Sequence, residues 1–151
     1  MTVDTSEHAQ RLTTTLNLLK KAGACTERYR HLVKGLGGTK FDHNQPINLL
    51  TILELNGTED CLWSLRATAE NCDRVARLMA CDFAEATLKN FERDYPDDKR
   101  PREAIAVARR FALGLATEEE RLAAESAAVS AARSAAESAQ AEIIKKYLLP
   151  D

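Results

Sequence analysis

Apolar side chains recur along this chain at intervals of three and four residues, the spacing that puts them on one face of an α-helix. Leu12, Leu16 and Leu19 form the first stripe, with Asp4 or Thr5 placed to cap the helix and Gly23 to end it. A second helix is expected from Cys25 to about Gly35, with Tyr29, Leu32, Val33 and Leu36 on one side. Gly35, Gly37 and Gly38 break the pattern, and the stretch from Thr39 to Gln45 reads as the longest loop. Pro46 suits the first turn of a helix, and Ile47, Leu49, Leu50, Ile52 and Leu53 make the following segment strongly apolar. So short an apolar run fits a buried strand as well as a helix; a helix is favoured because no second strand offers itself for pairing.

Asn56-Gly57 ends that segment, and Thr58 is expected to cap the next helix, whose buried face is Leu62, Trp63 and Leu65. Asn71 or Asp73 opens a long helix to about Tyr95, with Val75, Leu78, Met79, Phe83, Ala86 and Phe91 as its stripe. Tyr95-Pro96-Asp97-Asp98 is a turn. Pro101 begins a further helix carrying Ile105, Ala108, Phe111, Ala112 and Leu115. Thr117 with Glu120 three residues later is a capping box, and nothing interrupts the helix it starts before about Leu148.

That last helix carries alanine in pairs, Ala123-Ala124, Ala127-Ala128, Ala131-Ala132 and Ala135-Ala136, with serines at 126, 130, 134 and 138 beside them. Alanine is the best helix former, and small side chains four apart let a second helix approach closely. A period of four exceeds the helical 3.6, so the stripe drifts by roughly 40° per repeat and can face different neighbours along its length. The alanines either fill a helix packed inside the bundle, line a close interface with another copy or a partner, or leave a partly solvated helix. Self-association into a homodimer would use Ala124, Ala128, Ala132 and Ala135. Ile143, Ile144, Tyr147 and Leu148 give the helix a heavier apolar end to anchor it. The expected fold is all-α: a compact bundle of about six or seven helices in a single domain over residues 1–151, closed by the long Ala-rich helix.

Charge narrows the function. The net charge is −2, with both signs spread through the chain. The basic footprint of a nucleic-acid binder is missing, so no direct nucleic-acid partner is expected. No apolar run approaches the roughly 20 residues that span a bilayer, and the polar N-terminal residues do not read as a signal peptide. A cytoplasmic location is expected, with Cys25, Cys61, Cys72 and Cys81 reduced there.

The candidate chemistry is thin. His8 falls in the first turn of the first helix, His31 beside Leu32, and His43 in the long loop between Asp42 and Asn44. An Asp-His-Asn loop can orient an imidazole for acid–base work, but a polar loop that turns and caps explains it as well. Cys72 and Cys81 lie on one helix roughly 14 Å apart, too far to share a metal. The cysteines read as buried free thiols. The run from Gly35 to Lys40 has the composition of a phosphate loop but the wrong order of residues, and a helix precedes it. Asp97, Asp98, Arg100, Arg102 and Glu103 cluster around two prolines; paired carboxylates can bind a cation, but helix capping and surface ion pairs are the simpler account. Trp63, flanked by leucines, belongs in a core. No catalytic residue, metal ligand or cofactor site is assigned, and the chain is read as a non-enzyme.

Three segments carry a resemblance: Asn56 through Ala67, Arg77 through Glu85, and above all Tyr95-Pro96-Asp97-Asp98-Lys99-Arg100-Pro101-Arg102-Glu103-Ala104-Ile105. With the Ala-rich terminal helix they make residues 47–148 resemble a helical immunity domain family of bacterial and phage proteins. The resemblance implies a small protein that neutralises a toxin by binding it, and no catalytic residues. A protein partner is therefore expected: a toxin, a nuclease or a defence complex. Contact elements are the loop at Phe41, Asp42 and His43 and the turn at Asp97 and Asp98. A phage protein that disables a host defence complex, such as a CRISPR nuclease, is the alternative, and a self-assembling structural protein built on the Ala-rich helix is another.

Overall fold

The computed structural model describes residues 10–147, with side chains described as far as residue 135. The architecture is all-α, with seven α-helices and one two-stranded pairing of two residues each among the described residues. Asp4, Thr5 and His8 lie outside the described residues, as does Leu148, and Ile143, Ile144 and Tyr147 lie beyond the described side chains. The chain falls into two compact units, residues 1–76 and 77–151, taken here in turn.

The first unit holds strand β1 (Thr13–Thr14), helices α1 (Leu16–Lys21) and α2 (Thr26–Gly35), strand β2 (Ile47–Asn48), and helices α3 (Leu49–Asn56) and α4 (Thr58–Ser64). The first helix starts later than its leucine stripe suggests. Three consecutive β-branched residues, Thr13 to Thr15, favour extended backbone, and Thr15 caps α1 by accepting a hydrogen bond from the Leu18 N–H. Thr13 and Thr14 instead pair antiparallel with Asn48 and Ile47, so the second strand that the sequence seemed to lack exists. Strand and helix readings of the apolar run from Ile47 are thus both realised, one after the other. The switch also resets the buried face: Ile47, Leu49 and Ile52 are buried, while Leu50 is 63% and Leu53 40% exposed.

β1 is fastened on its other side as well. The Glu70 carboxylate accepts from the Thr13 backbone N–H at 2.7 Å and from its hydroxyl at 2.6 Å, and the buried Thr14 hydroxyl donates to the Ala67 carbonyl. Those Thr13 bonds, side chain first, hold the Glu70 carboxyl below the usual glutamate range. Around this anchor Leu16, Leu19, Leu32, Ile47, Ile52 and Ala67 form the core, with Tyr29, Val33, Leu36 and Trp63 packed against it. Trp63 meets its expectation, and the Arg66 guanidinium sits 4.8 Å from its ring centroid. Two expectations for α4 fail. Thr58 is the first helical residue, and the cap is Gly57 at φ 87° and ψ −178°. Leu62 is exposed, and Ser64 is buried with its hydroxyl donating to the Cys61 carbonyl.

The second unit comprises α5 (Asp73–Asp94) from Arg77 onward, α6 (Arg100–Ala112) and the 30-residue α7 (Glu118–Tyr147). Each start follows its sequence signal. Asn71 accepts from the Asp73 N–H, Pro101 occupies the first turn of α6, and Thr117 and Glu120 close a reciprocal capping box at 3.2 and 2.7 Å. Leu78, Cys81, Leu88, Ala112 and Ala131 are buried. The expected stripes need correction at three positions: Phe83 is 53% and Leu115 70% exposed, and Ala86 is exposed as well. Leu115 follows the left-handed Gly114 (φ 74°) and only closes the helix end, its N–H reaching the Arg110 carbonyl.

Candidate functional site

The expected contact loop in the first unit is held by its own polar groups. Asp42 accepts from the Asn44 N–H at 2.9 Å, the Asn44 side chain accepts from Asn17 at 2.7 Å, and the His43 carbonyl accepts from the Asn17 N–H at 3.1 Å. Asp42 and His43 are exposed, whereas the Phe41 ring is half-buried against the core. Asp42 is engaged with Asn44 and Gln45 rather than with the His43 ring.

In the second unit, Asp97 is exposed at the turn and Asp98 is committed to Arg100. The guanidinium and the backbone N–H of Arg100 both donate to Asp98, and the pair pulls the Asp98 carboxyl below its usual range. That is the capping and ion pairing which the sequence offers as the plain account of the cluster. The cysteines were expected to be buried, but only Cys81 is; Cys25 is exposed, and Cys61 and Cys72 are half-buried.

The second unit also holds a feature that no single helix announces in the sequence. α5, α6 and α7 enclose an apolar groove of about 740 Å³. Its floor and walls carry alanines at four-residue spacing on every helix: Ala80 and Ala84 on α5, Ala104 and Ala108 on α6, Ala128 and Ala132 on α7. Side chains this small leave the space between three helices unfilled. α6 and α7 pack closely. The Tyr95 hydroxyl donates to the Ala135 carbonyl at 3.0 Å and ties α7 to the end of α5. The four self-association candidates divide accordingly. Ala128 lines the groove and is half-buried, as are Ala124 and Ala135, while Ala132 lines it and is exposed. Ala131, between them, is buried. The drift of the alanine stripe thus turns successive alanines toward different surroundings.

Arg77, Glu118, Arg121 and Glu125 are the charged residues that line the groove, and further ion pairs join α5 to α6. Arg109 of α6, its side chain only 12% exposed, donates to Asp82 at 2.6 Å and to Glu85 at 2.7 Å on α5. Arg102 donates with both arms to Glu92, at 2.6 and 2.7 Å, and lowers the Glu92 carboxyl. On α7, Arg121 is forked onto Glu118 and also reaches Glu125 at 2.8 Å, so its own pKa rises and that of Glu118 falls. The Phe111 ring lies beneath two guanidinium groups, Arg77 at 5.0 Å and Arg121 at 5.6 Å from its centroid. Cys81 lines the groove, and burial pushes its thiol up, away from the reactive thiolate. Among the described residues, no three His, Cys, Asp or Glu side chains come together to hold a metal ion, and no helix is long and apolar enough to cross a membrane. The chemistry on offer is that of a surface that receives apolar groups between fixed charges.

The groove lies within a stretch that has relatives. Residues 66–146, more than half of the chain, match the family described as Imm-5 like putative immunity protein. The chain belongs to this family. The match takes in α5, α6 and α7 to residue 146, and so every residue lining the groove. It leaves out the loop at Phe41 to His43. No curated protein and no solved structure matches the chain.

Proposed function

We propose that this immunity-family protein is a non-enzymatic inhibitor that neutralises a bacterial toxin or effector by binding it directly. The observation that carries the reading is the coincidence of the family-matched stretch with the apolar, charge-framed groove. A groove of this kind can take an apolar helix or side-chain cluster of a partner, with the Arg121 pairs to Glu118 and Glu125 in its lining supplying orientation. The exposed Asp97, at the turn between α5 and α6, and the Asp42-His43 loop of the first unit are secondary contact elements on the same reading. A phage role against a host defence complex uses the same physics, occlusion by a small stable fold, with a different target.

The test is protection. The effector encoded beside this chain is expressed in a sensitive host with and without it. Wild-type chain restores growth; Ala84→Trp and Ala108→Trp, which fill the groove, keep the helical circular dichroism spectrum and lose protection. Protection by folded, groove-filled variants refutes the groove as the binding face. No protection by wild type against that effector refutes the toxin reading, and the same variants are then assayed against host defence nucleases.

A further inference from the structure

A second, much smaller cavity belongs to the first unit and plays no part in the inhibitor reading. About 80 Å³ in volume, it lies among α1, α2, α3 and α4, walled mainly by Leu19, Leu32, Ile52 and Trp63. Tyr29 and Asn56 also line it, and each brings a buried polar atom, the Tyr29 hydroxyl and the Asn56 Oδ1, for which no described protein group is a hydrogen-bond partner. Buried polar atoms are satisfied as a rule, by protein or by an ordered small molecule.

The orientation of Asn56 is not free to change. Its Nδ2 donates to the Arg28 carbonyl at 3.1 Å and to Asp60 Oδ2 at 2.7 Å, so exchanging the amide ends would set an oxygen against two acceptors. Oδ1 therefore presents a fixed demand for a donor. Charge is already balanced at this place: Arg28 donates through Nε to Asp60 at 2.8 Å and through Nη2 to the Asn56 carbonyl at 2.6 Å. A cation would meet a carboxylate that is already paired, and an anion would meet the Asn56 Oδ1 acceptor and the Asp60 carboxylate. A neutral group that donates to Asn56 and exchanges a hydrogen bond with the Tyr29 hydroxyl fits both atoms. The volume is ample for a few water-sized molecules.

We propose that this cavity is a binding site for small neutral hydrogen-bond donors, filled by an internal water cluster that bridges the Asn56 side chain on α3 to the Tyr29 hydroxyl on α2. The water then forms part of the joint between α2 and α3, beside the Arg28–Asp60 pair that joins α2 to α4.

Crystals of the full chain diffracting well enough to show ordered solvent provide the first test. Density within hydrogen-bond distance of both Asn56 Oδ1 and Tyr29 Oη is the expected result. A dry cavity, or a direct Tyr29–Asn56 bond, overturns the proposal. Tyr29→Phe provides the second, since it deletes the hydroxyl and keeps the ring. A hydrated cavity loses one bridge, and the folding equilibrium constant falls about fivefold. A dry cavity loses an unsatisfied hydroxyl, so a variant as stable as wild type or more stable overturns the proposal. Preference for a neutral ligand is checked by comparing ammonium chloride with sodium chloride at equal ionic strength. Equal melting temperatures are expected, and a rise specific to ammonium refutes the neutral class.

Discussion

Arg109→Met tests the ion pairs that join α6 to α5. The native guanidinium bonds Asp82 and Glu85 from a side chain that is only 12% exposed, while the two carboxylates are 46% and 49% exposed. Methionine keeps most of the aliphatic stem, so little cavity is created and the loss is electrostatic. A solvent-exposed ion pair contributes about 0.2–1 kcal/mol. The covered arginine moves each pair toward the upper end of that range, whereas the half-solvated carboxylates rehydrate once released and pull it back. Two pairs sharing one guanidinium do not add in full. Asp82 and Glu85, three residues apart on α5, also repel each other by about 0.2–0.5 kcal/mol once the arginine is gone. The expected loss is about 1–2 kcal/mol.

Urea unfolding followed by circular dichroism measures it, as a lower midpoint with an unchanged slope. Arg110→Met is the control. Arg110 is 53% exposed and lies 3.7 Å from Glu120, so its replacement is expected to cost under about 0.5 kcal/mol. Equal losses for the two variants, or no loss for Arg109→Met, would show that burial of the guanidinium does not set the strength of these pairs. The double variant with Glu85→Gln should lose less than the sum of its parts, because both changes break the same bond.

Other parts of the molecule make separate predictions. Glu70 titrates below the ordinary glutamate value because Thr13 hydrogen bonds favour its charged form, so its stabilising contribution is complete above about pH 4.3 and is lost as pH falls through the depressed folded value. Glu70→Gln should therefore flatten the acid side of a melting temperature against pH curve, and an unchanged acid slope would refute the assignment. Gly57→Ala places a side chain at φ 87°, ψ −178° with nothing within 4 Å of the new Cβ, so backbone strain alone is expected to cost about 1–3 kcal/mol in thermal melts. Thr117→Ala removes the hydroxyl that accepts from the Glu120 N–H at the start of α7 and should cost about 1 kcal/mol, with amide exchange near 118–120 accelerating first.

The sequence announces its helices best where side chains act locally. Pro101, the Thr117–Glu120 box, Gly23 and Gly114 each mark a helix end because the signal and its effect lie within one turn. Burial is harder to read. Leu50 and Leu53 fit a helical stripe as well as Leu49 and Ile52 do, and the choice between them is made by Thr13 and Thr14, more than thirty residues away, whose pairing extends Ile47 and Asn48 and so rotates α3. A periodicity confined to one segment carries no information about that distant pairing. The three-threonine run was the available clue, since β-branched residues in sequence resist the helix that Leu12 and Leu16 suggest.

The groove was hidden for a different reason. The alanine spacing on α7 is conspicuous because it repeats without interruption, and it invites a question about what α7 touches. On α5 and α6 the same four-residue spacing, Ala80 with Ala84 and Ala104 with Ala108, is diluted among leucine, phenylalanine and charge, and each pair alone looks like helix filler. Only the packing of three helices brings the pairs to face one space. Small residues on a single helix favour close approach; where ion pairs join α5 to α6 and the Tyr95–Ala135 bond ties α7 to the end of α5, the same small residues leave a trough between the three helices. Protection assays with Ala84→Trp and Ala108→Trp therefore ask whether that trough is used. Adding volume to a core costs stability only where the volume is already taken, so folded, stable tryptophan variants would themselves establish that the space is open in solution. Collapse of those variants would mean that α5 closes onto α6 and α7, and that the alanines serve close packing after all.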